Sequence, residues 1–89
     1  MLTIIITEKL PGYTYVTAHS DDGIKIDLII YDASTPQEWV IWSEVDDVTG
    51  VDPDIRELLR THSFDGFFSI EEAIKTTAYH LEQTLKSIL

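Results

Sequence analysis

The 89-residue chain contains no cysteine, which excludes disulfide bonds, thiolate nucleophiles and cysteine-ligated zinc sites. Small secreted domains commonly depend on disulfides, so this absence favours a reducing compartment and a cytoplasmic location. Only four glycines and three prolines occur, and no glycine-rich loop of the kind that binds nucleotide phosphates is present. The apolar start of the chain ends at Glu8 and has no basic residues before it. It is too short for a signal sequence or a membrane span.

Basic residues are also scarce. Six Lys and Arg stand against sixteen Asp and Glu, and the formal net charge is -10. Direct binding to nucleic acid needs clustered Lys and Arg, and an anionic membrane surface attracts basic segments, so both partners are disfavoured. A basic protein surface is the electrostatic complement of such a chain. The alternative is that acidity serves solubility alone.

A chain of this length supports one domain with a small core. Its hydrophobic fraction of 44% and charged fraction of 25% are typical of a folded globule. We therefore predict a single acidic domain over residues 1–89.

The first half of the chain has the period-two pattern of β-strands. The predicted strands are residues 2–8, 13–19, 24–31 and 37–45. Turn signals at Pro11-Gly12 and Asp22-Gly23 separate the first three strands and predict two successive hairpins. The fourth strand is apolar on both faces over residues 39–42. Either both of its faces are covered, or its outer face is kept for a partner.

The second half has a helical period. Asp52-Pro53 is a helix start, and Ser69 with Glu72 forms a capping box for a second, longer helix. The apolar stripe of the long helix consists of Ile70, Ile74, Thr77, Leu81, Leu85 and Ile88. The prediction is an α+β fold: an antiparallel meander of three to four strands, then a short helix and a longer C-terminal amphipathic helix packed on one sheet face.

The residue patterns of catalysis and metal binding are weak. The three histidines, His19, His62 and His80, include no pair with the i,i+4 spacing of a helical metal site. Four carboxylates fall within residues 46–54, but they do not follow the EF-hand pattern. We predict no enzyme activity and assign no catalytic, cofactor or metal residues, while a weak divalent-cation site at 46–54 stays open.

Aromatic residues are candidates for both core and surface. Phe67 and Phe68 are expected to fill the core between the sheet and the helices. Because Trp and Tyr are enriched among binding hot spots, one tryptophan, or one or both of Tyr13 and Tyr15, is a candidate surface anchor.

The acidic residues are concentrated in the middle of the chain. Residues 21–57 contain eleven carboxylates against only Lys25 and Arg56. Turns and helix starts account for most of them, but they are not interleaved with lysines as on a merely solubilising surface. The predicted partner-binding residues are Asp21, Asp22, Asp32, Glu38, Trp39, Trp42, Glu44, Asp46, Asp47 and Asp54.

In size and charge the chain resembles the acidic single-domain inhibitors of phages and mobile elements, such as anti-CRISPR and anti-restriction proteins. That resemblance is compositional, and it implies an acidic face that docks on a basic, often nucleic-acid-binding, protein. The alternative is an interaction module without mimicry. The order strand, strand, strand, helix with the sequence Glu71-Glu72-Ala73-Ile74 is similar to HicB-type antitoxin domains. Homodimerisation through an edge strand, residues 2–8 or 39–42, is a further association open to the chain.

Overall fold

The computed structural model describes residues 2–33 and 40–88. These residues form an antiparallel five-stranded sheet, a short helix and a longer C-terminal helix, which confirms the predicted α+β class. The elements are β1 (Thr3–Leu10), β2 (Tyr13–His19), β3 (Lys25–Asp32), β4 (Ile41–Thr49), α1 (Pro53–Arg60), β5 (Ser63–Phe64) and α2 (Ile70–Ile88). Within this part of the chain no helix is long and apolar enough to cross a membrane.

The spatial order of the strands is their order in the sequence, β1-β2-β3-β4-β5. Tight turns make this meander, and Gly12 and Gly23 at these turns both have a φ of 87°, a conformation that glycine adopts without steric cost. The register places Val16 opposite Leu28, and Leu28 opposite Val45. Side chains at these positions therefore share one face of the sheet.

This core face packs against α2. Alternate residues of β2, β3 and β4 are buried there, among them Ala18, Ile26 and Ile30, which are inaccessible to solvent. The buried residues of α2 are Ala73, Ile74, Thr77, Leu81 and Leu85. The hydroxyl oxygens of Ser43 and Thr77 lie 2.6 Å apart across the sheet–helix interface. In the described residues no buried side-chain polar atom lacks a hydrogen-bond partner, so this core contains polar groups without an unsatisfied one.

The capping signal of α2 is confirmed, with one difference. The backbone N–H of Glu72 donates to the Ser69 hydroxyl at 3.0 Å, as predicted. The Glu72 carboxylate, however, accepts from the backbone N–H of Phe68 at 2.9 Å. The predicted stripe is buried from Ile74 to Leu85, whereas Ile88 in the last turn is 37% exposed.

The predicted fourth strand, residues 37–45, overlaps β4, but β4 continues beyond the predicted end to Thr49. A register irregularity opposite Asp27 and Leu28 puts Asp46 and Asp47 consecutively on the side away from the core. This bulge interrupts the period-two pattern, and for that reason the sequence resembled a loop there. Residues 37–39 of the predicted strand lie outside the described residues.

Smaller differences concern the ends of strands and the connection between the helices. β1 and β3 start and end one or two residues later than predicted. β5 was not predicted, because two residues are too few to show a period. Phe67 is buried as expected, but Phe68 is 79% exposed, so the prediction that both fill the core was wrong for Phe68. Consecutive residues before a helix point in different directions, and only one of the pair reaches the core.

Candidate partner-binding face

On the opposite face of the sheet, no helix of the described residues is packed. Both α1 and α2 place their buried residues in the core cluster, through Leu59 for α1. We call the other side the open face. Within the described residues it includes Thr3, Ile5, Glu8, Leu10, Tyr13, Tyr15, Thr17, His19, Lys25, Asp27, Ile29, Tyr31, Trp42, Glu44, Asp46, Asp47 and Thr49. The Lys25 ammonium is 4.0 Å from the Asp27 carboxylate. The strand register alone determines which residues belong to it, because side chains alternate between faces.

Aromatic rings occupy one end of the open face. Tyr13 pairs with Tyr31 across β2 and β3, and Tyr31 pairs with Trp42 across β3 and β4. The rings of Tyr31 and Trp42 are stacked, with centroids 4.8 Å apart and planes 13° from parallel. Tyr13 and Tyr15 meet edge to face at 5.8 Å, and Tyr13 is 38% exposed. The result is an ordered aromatic surface that remains partly accessible.

Carboxylates border these rings. Glu44 lies near the Tyr31 hydroxyl and acts on its ionisation. Burial, followed by the charge of Glu44, raises the pKa of Tyr31 above its usual 10.0, and the charge of Asp46 contributes in the same direction. In the described part of the chain, neither Glu44 nor Asp46 has a cation within 4.0 Å of its carboxylate. Two negative charges therefore lie beside the aromatic surface without a basic partner.

Two further carboxylates lie directly opposite each other at the other end of the face. Asp27 pairs with Asp47 across β3 and β4, an arrangement of like charges that is destabilising by itself. Asp27 accepts a hydrogen bond of 3.0 Å from the Thr17 hydroxyl. Asp47 contacts Arg56 of α1 at 2.9 Å, and the hydrogen bond to Arg56 lowers the pKa of Asp47 below its usual 3.8. Local partners thus offset this pair, in contrast to Glu44 and Asp46.

The predicted partner-binding residues do not form one group. The open face brings together Trp42, Glu44, Asp46 and Asp47. Asp21 and Asp22 lie in the turn between β2 and β3, Asp54 is in the first turn of α1, and Asp32 is at the far end of β3 from that turn. Glu38 and Trp39 lie outside the described residues.

Sequence reasoning missed Asp27, Ile29 and Tyr31 as members of the same face. A signal was present, because the core residues Ile26, Leu28 and Ile30 alternate with them along β3. What the sequence did not supply was the register, which sets Tyr31 against Trp42 rather than against another residue of β4.

The described residues offer little for catalysis or metal binding. They contain no group of three or more His, Asp or Glu side chains that could hold a metal ion. Asp46 and Asp47 belong to β4, whereas Asp52 and Asp54 lie at the start of α1. A ring nitrogen of His62 is 3.0 Å from the carbonyl oxygen of Leu58, so it is engaged at the end of α1.

Comparison with known proteins gives no relative from which a function could be transferred. No protein-family model matches the chain, and no curated protein or solved structure is significantly similar to it. Any functional inference therefore depends on the chemistry of the open face.

Proposed function

We propose that this chain is a non-enzymatic acidic binding protein that docks its open face on a basic protein surface. The nearest functional type is an inhibitor or nucleic-acid mimic like those of phages and mobile elements. The observation that carries the proposal is the stacked pair of Tyr31 and Trp42 next to Glu44 and Asp46, two carboxylates without a cation partner among the described residues.

This combination fits arginine in particular. A guanidinium group stacks on aromatic faces and at the same time donates a fork of hydrogen bonds to a carboxylate. Trp42 and Glu44 are two residues apart on β4, so their side chains lie on the same face. A basic partner with exposed arginines can therefore stack on the ring and bind the carboxylate within one short stretch of strand. Desolvation at the docked face strengthens both the stacking and the charged hydrogen bond.

The spacing of the carboxylates supports the mimicry of nucleic acid. Side chains two residues apart on a strand are separated by about 7 Å, and neighbouring strands by about 4.8 Å. Glu44 and Asp46 are two residues apart on β4, the bulge places Asp47 next to Asp46 on the same side, and Asp27 lies across from Asp47 on β3. A basic groove shaped for the regularly repeated charges of a phosphate backbone can accept such a lattice of carboxylates.

The second candidate is an interaction module that binds without mimicry. It is favoured by the aromatic content of the open face, because Tyr and Trp anchors contribute affinity through buried area rather than through charge. The two proposals differ in the response to salt. Charge attraction between exposed groups is screened with a length of about 8 Å at physiological ionic strength, whereas aromatic burial is not.

The experiment is an affinity capture with charge variants. The native chain, the double variant Glu44→Lys/Asp46→Lys and the control Glu71→Lys are used as baits at low and high salt. Glu71 is an exposed residue of α2, on the layer opposite the open face, and its partner Lys75 is equally exposed. We expect to capture proteins that bind the native chain and the control. The same proteins should not bind the double variant, and high salt should release them.

The captured protein is then purified and tested for competition between this chain and DNA or RNA. Competition supports mimicry. Binding that survives high salt and Glu44→Lys/Asp46→Lys but is lost with Trp42→Ala would favour the module without mimicry. Binding that is insensitive to all open-face variants would overturn both proposals.

A further inference from the structure

β1 is an edge of the sheet. It pairs with β2 on one side, and no other described strand pairs with it. An edge strand presents unpaired backbone N–H and C=O groups, which form a template for another strand. The opposite edge, β5, has only two residues, whereas β1 has eight. A long pairing surface is therefore available only on β1 among the described strands.

The side chains of this edge are apolar and accessible on both faces of the sheet. Ile5, on the open face, is 49% exposed, and Ile6, on the core face, is 45% exposed. The reason is that α2 packs on β3 and β4 and leaves the core face of β1 only partly covered. Isoleucines exposed on adjacent positions of an edge strand are the surface that a further strand would bury.

The sequence of β1 is palindromic over residues 3–7. Residues 3–7 read Thr-Ile-Ile-Ile-Thr in both directions. In an antiparallel pair centred on Ile5, Thr3 lies opposite Thr7 of the second strand, Ile4 lies opposite Ile6, and Ile5 lies opposite Ile5. We propose that a second copy of this chain occupies the edge in this register, and that the two sheets join through β1 about a twofold axis. A twofold interface requires one surface to match itself, and residues 3–7 do so.

The distribution of charge is compatible with this pairing in spite of the net charge of -10. The five paired positions are uncharged. In this register the two copies of Glu8 are separated by six residues of strand, or about 20 Å, which exceeds the screening length of about 8 Å. The register irregularity between Ile6 and Glu8 falls at Thr7, the last residue of the paired segment, so regular pairing ends there and is confined to residues 3–7.

The pairing has a consequence for docking. A twofold axis perpendicular to the joined sheet leaves both copies of α2 on one side and both open faces on the other. A dimer would present two copies of the open face to one partner surface. The self-association itself, however, does not depend on the proposed function.

The first test measures the mass of the protein in solution by analytical ultracentrifugation at low and high salt. We expect the mass of two chains, with a dissociation constant that falls as salt rises, since salt screens the repulsion between the acidic copies. Ile5→Lys places two like charges at the axis and should raise the dissociation constant by about tenfold or more. Leu58→Lys is the matched control, because Leu58 of α1 is 48% exposed and lies away from β1, and it should remain a dimer.

The second test uses the absence of cysteine. Ile5→Cys should form a disulfide-linked dimer under mild oxidation, because directly opposite Cβ atoms in this register lie about 4.5–5.5 Å apart, and Leu58→Cys should not. A monomer at all salt concentrations would overturn the proposal, as would equal cross-linking of the two cysteine variants or a dimer unaffected by Ile5→Lys. Docking on a basic partner weakens with salt while this dimer strengthens, so the two proposals can fail separately.

Discussion

The two faces of β3 differ in how strongly packing constrains their residues. On the core face Ile26, Leu28 and Ile30 are at most 1% exposed and pack under α2. On the open face, the alternate residues Asp27, Ile29 and Tyr31 are half-buried by their neighbours in the sheet. The same strand therefore has one side selected for packing and one side whose composition the fold does not require. The open face mixes rings with carboxylates, and that mixture is the reason to look for a partner there.

The largest effect is expected when one residue on each face of β3 is truncated and the losses in the free energy of unfolding are compared. We expect Leu28→Ala to lower the free energy of unfolding by about 2–5 kcal/mol, because it leaves a cavity under α2. Ile29→Ala, its neighbour on the open face, should cost about 1 kcal/mol. Chemical denaturation of both variants measures the difference. Equal losses would show that the open face is covered as the core face is.

The next test concerns the polar contact inside the core. Ser43→Ala should lower the free energy of unfolding by about 1–3 kcal/mol, because it leaves the buried Thr77 hydroxyl without its partner at 2.6 Å. The double variant Ser43→Ala/Thr77→Val should recover part of that loss, since neither polar group then remains. A double-mutant cycle by denaturation measures the coupling. Strictly additive effects would contradict a direct interaction between the two hydroxyls.

A smaller effect is expected from the stacked rings of the open face. Trp42→Leu should lower the free energy of unfolding by about 0.5–1.5 kcal/mol through the loss of stacking. It should also lower the pKa of Tyr31, because burial is the main cause that raises it. A raised pKa contributes stability that is present below pH 10.0 and is lost as pH rises through the folded value. Phenolate absorbance, with Tyr31→Phe as the assignment control, measures the pKa, and an unchanged pKa in Trp42→Leu would argue against burial by this ring.

The smallest effect belongs to the exposed ion pair beside the open face. Arg56 lowers the pKa of Asp47, so the pair stabilises the folded state above pH 3.8, and this contribution is lost as pH falls through the folded pKa of Asp47. Asp47→Asn should differ from the native chain only slightly at neutral pH, and the difference should disappear at low pH and at high salt. Chemical denaturation of the native chain and of Asp47→Asn from neutral to low pH measures this difference in the free energy of unfolding. A difference that persists in acid would have to come from packing instead.

Local signals in the sequence determined most of the fold. The bounds of β2 at Tyr13 and His19 were predicted correctly, because turn residues flank a clean period-two pattern on both sides. The start of α2 was predicted from Ser69 and Glu72, whose contacts extend over only three residues. The end of β4 was not predicted, because a bulge at Asp46 and Asp47 interrupts the alternation of that strand.

The candidate site was only partly predictable, because it depends on contacts between distant parts of the chain. Trp42, Glu44 and Asp46 were identified from residue type, but Tyr31 joins them only through the register of β3 and β4. Asp47 was also identified, but its pairing with Arg56 depends on the position of α1. No pattern within either segment records that contact.

The meander also bears on how the chain reaches its folded state. Each strand pairs with the strand before it in sequence, and the connections between β1, β2 and β3 are short turns. Loops of this length close with little loss of entropy, so the first three strands can assemble one hairpin at a time. The core face they create stays exposed until α2, at the far end of the chain, docks on it. Folding should therefore be limited by the arrival of α2 rather than by the search for strand partners.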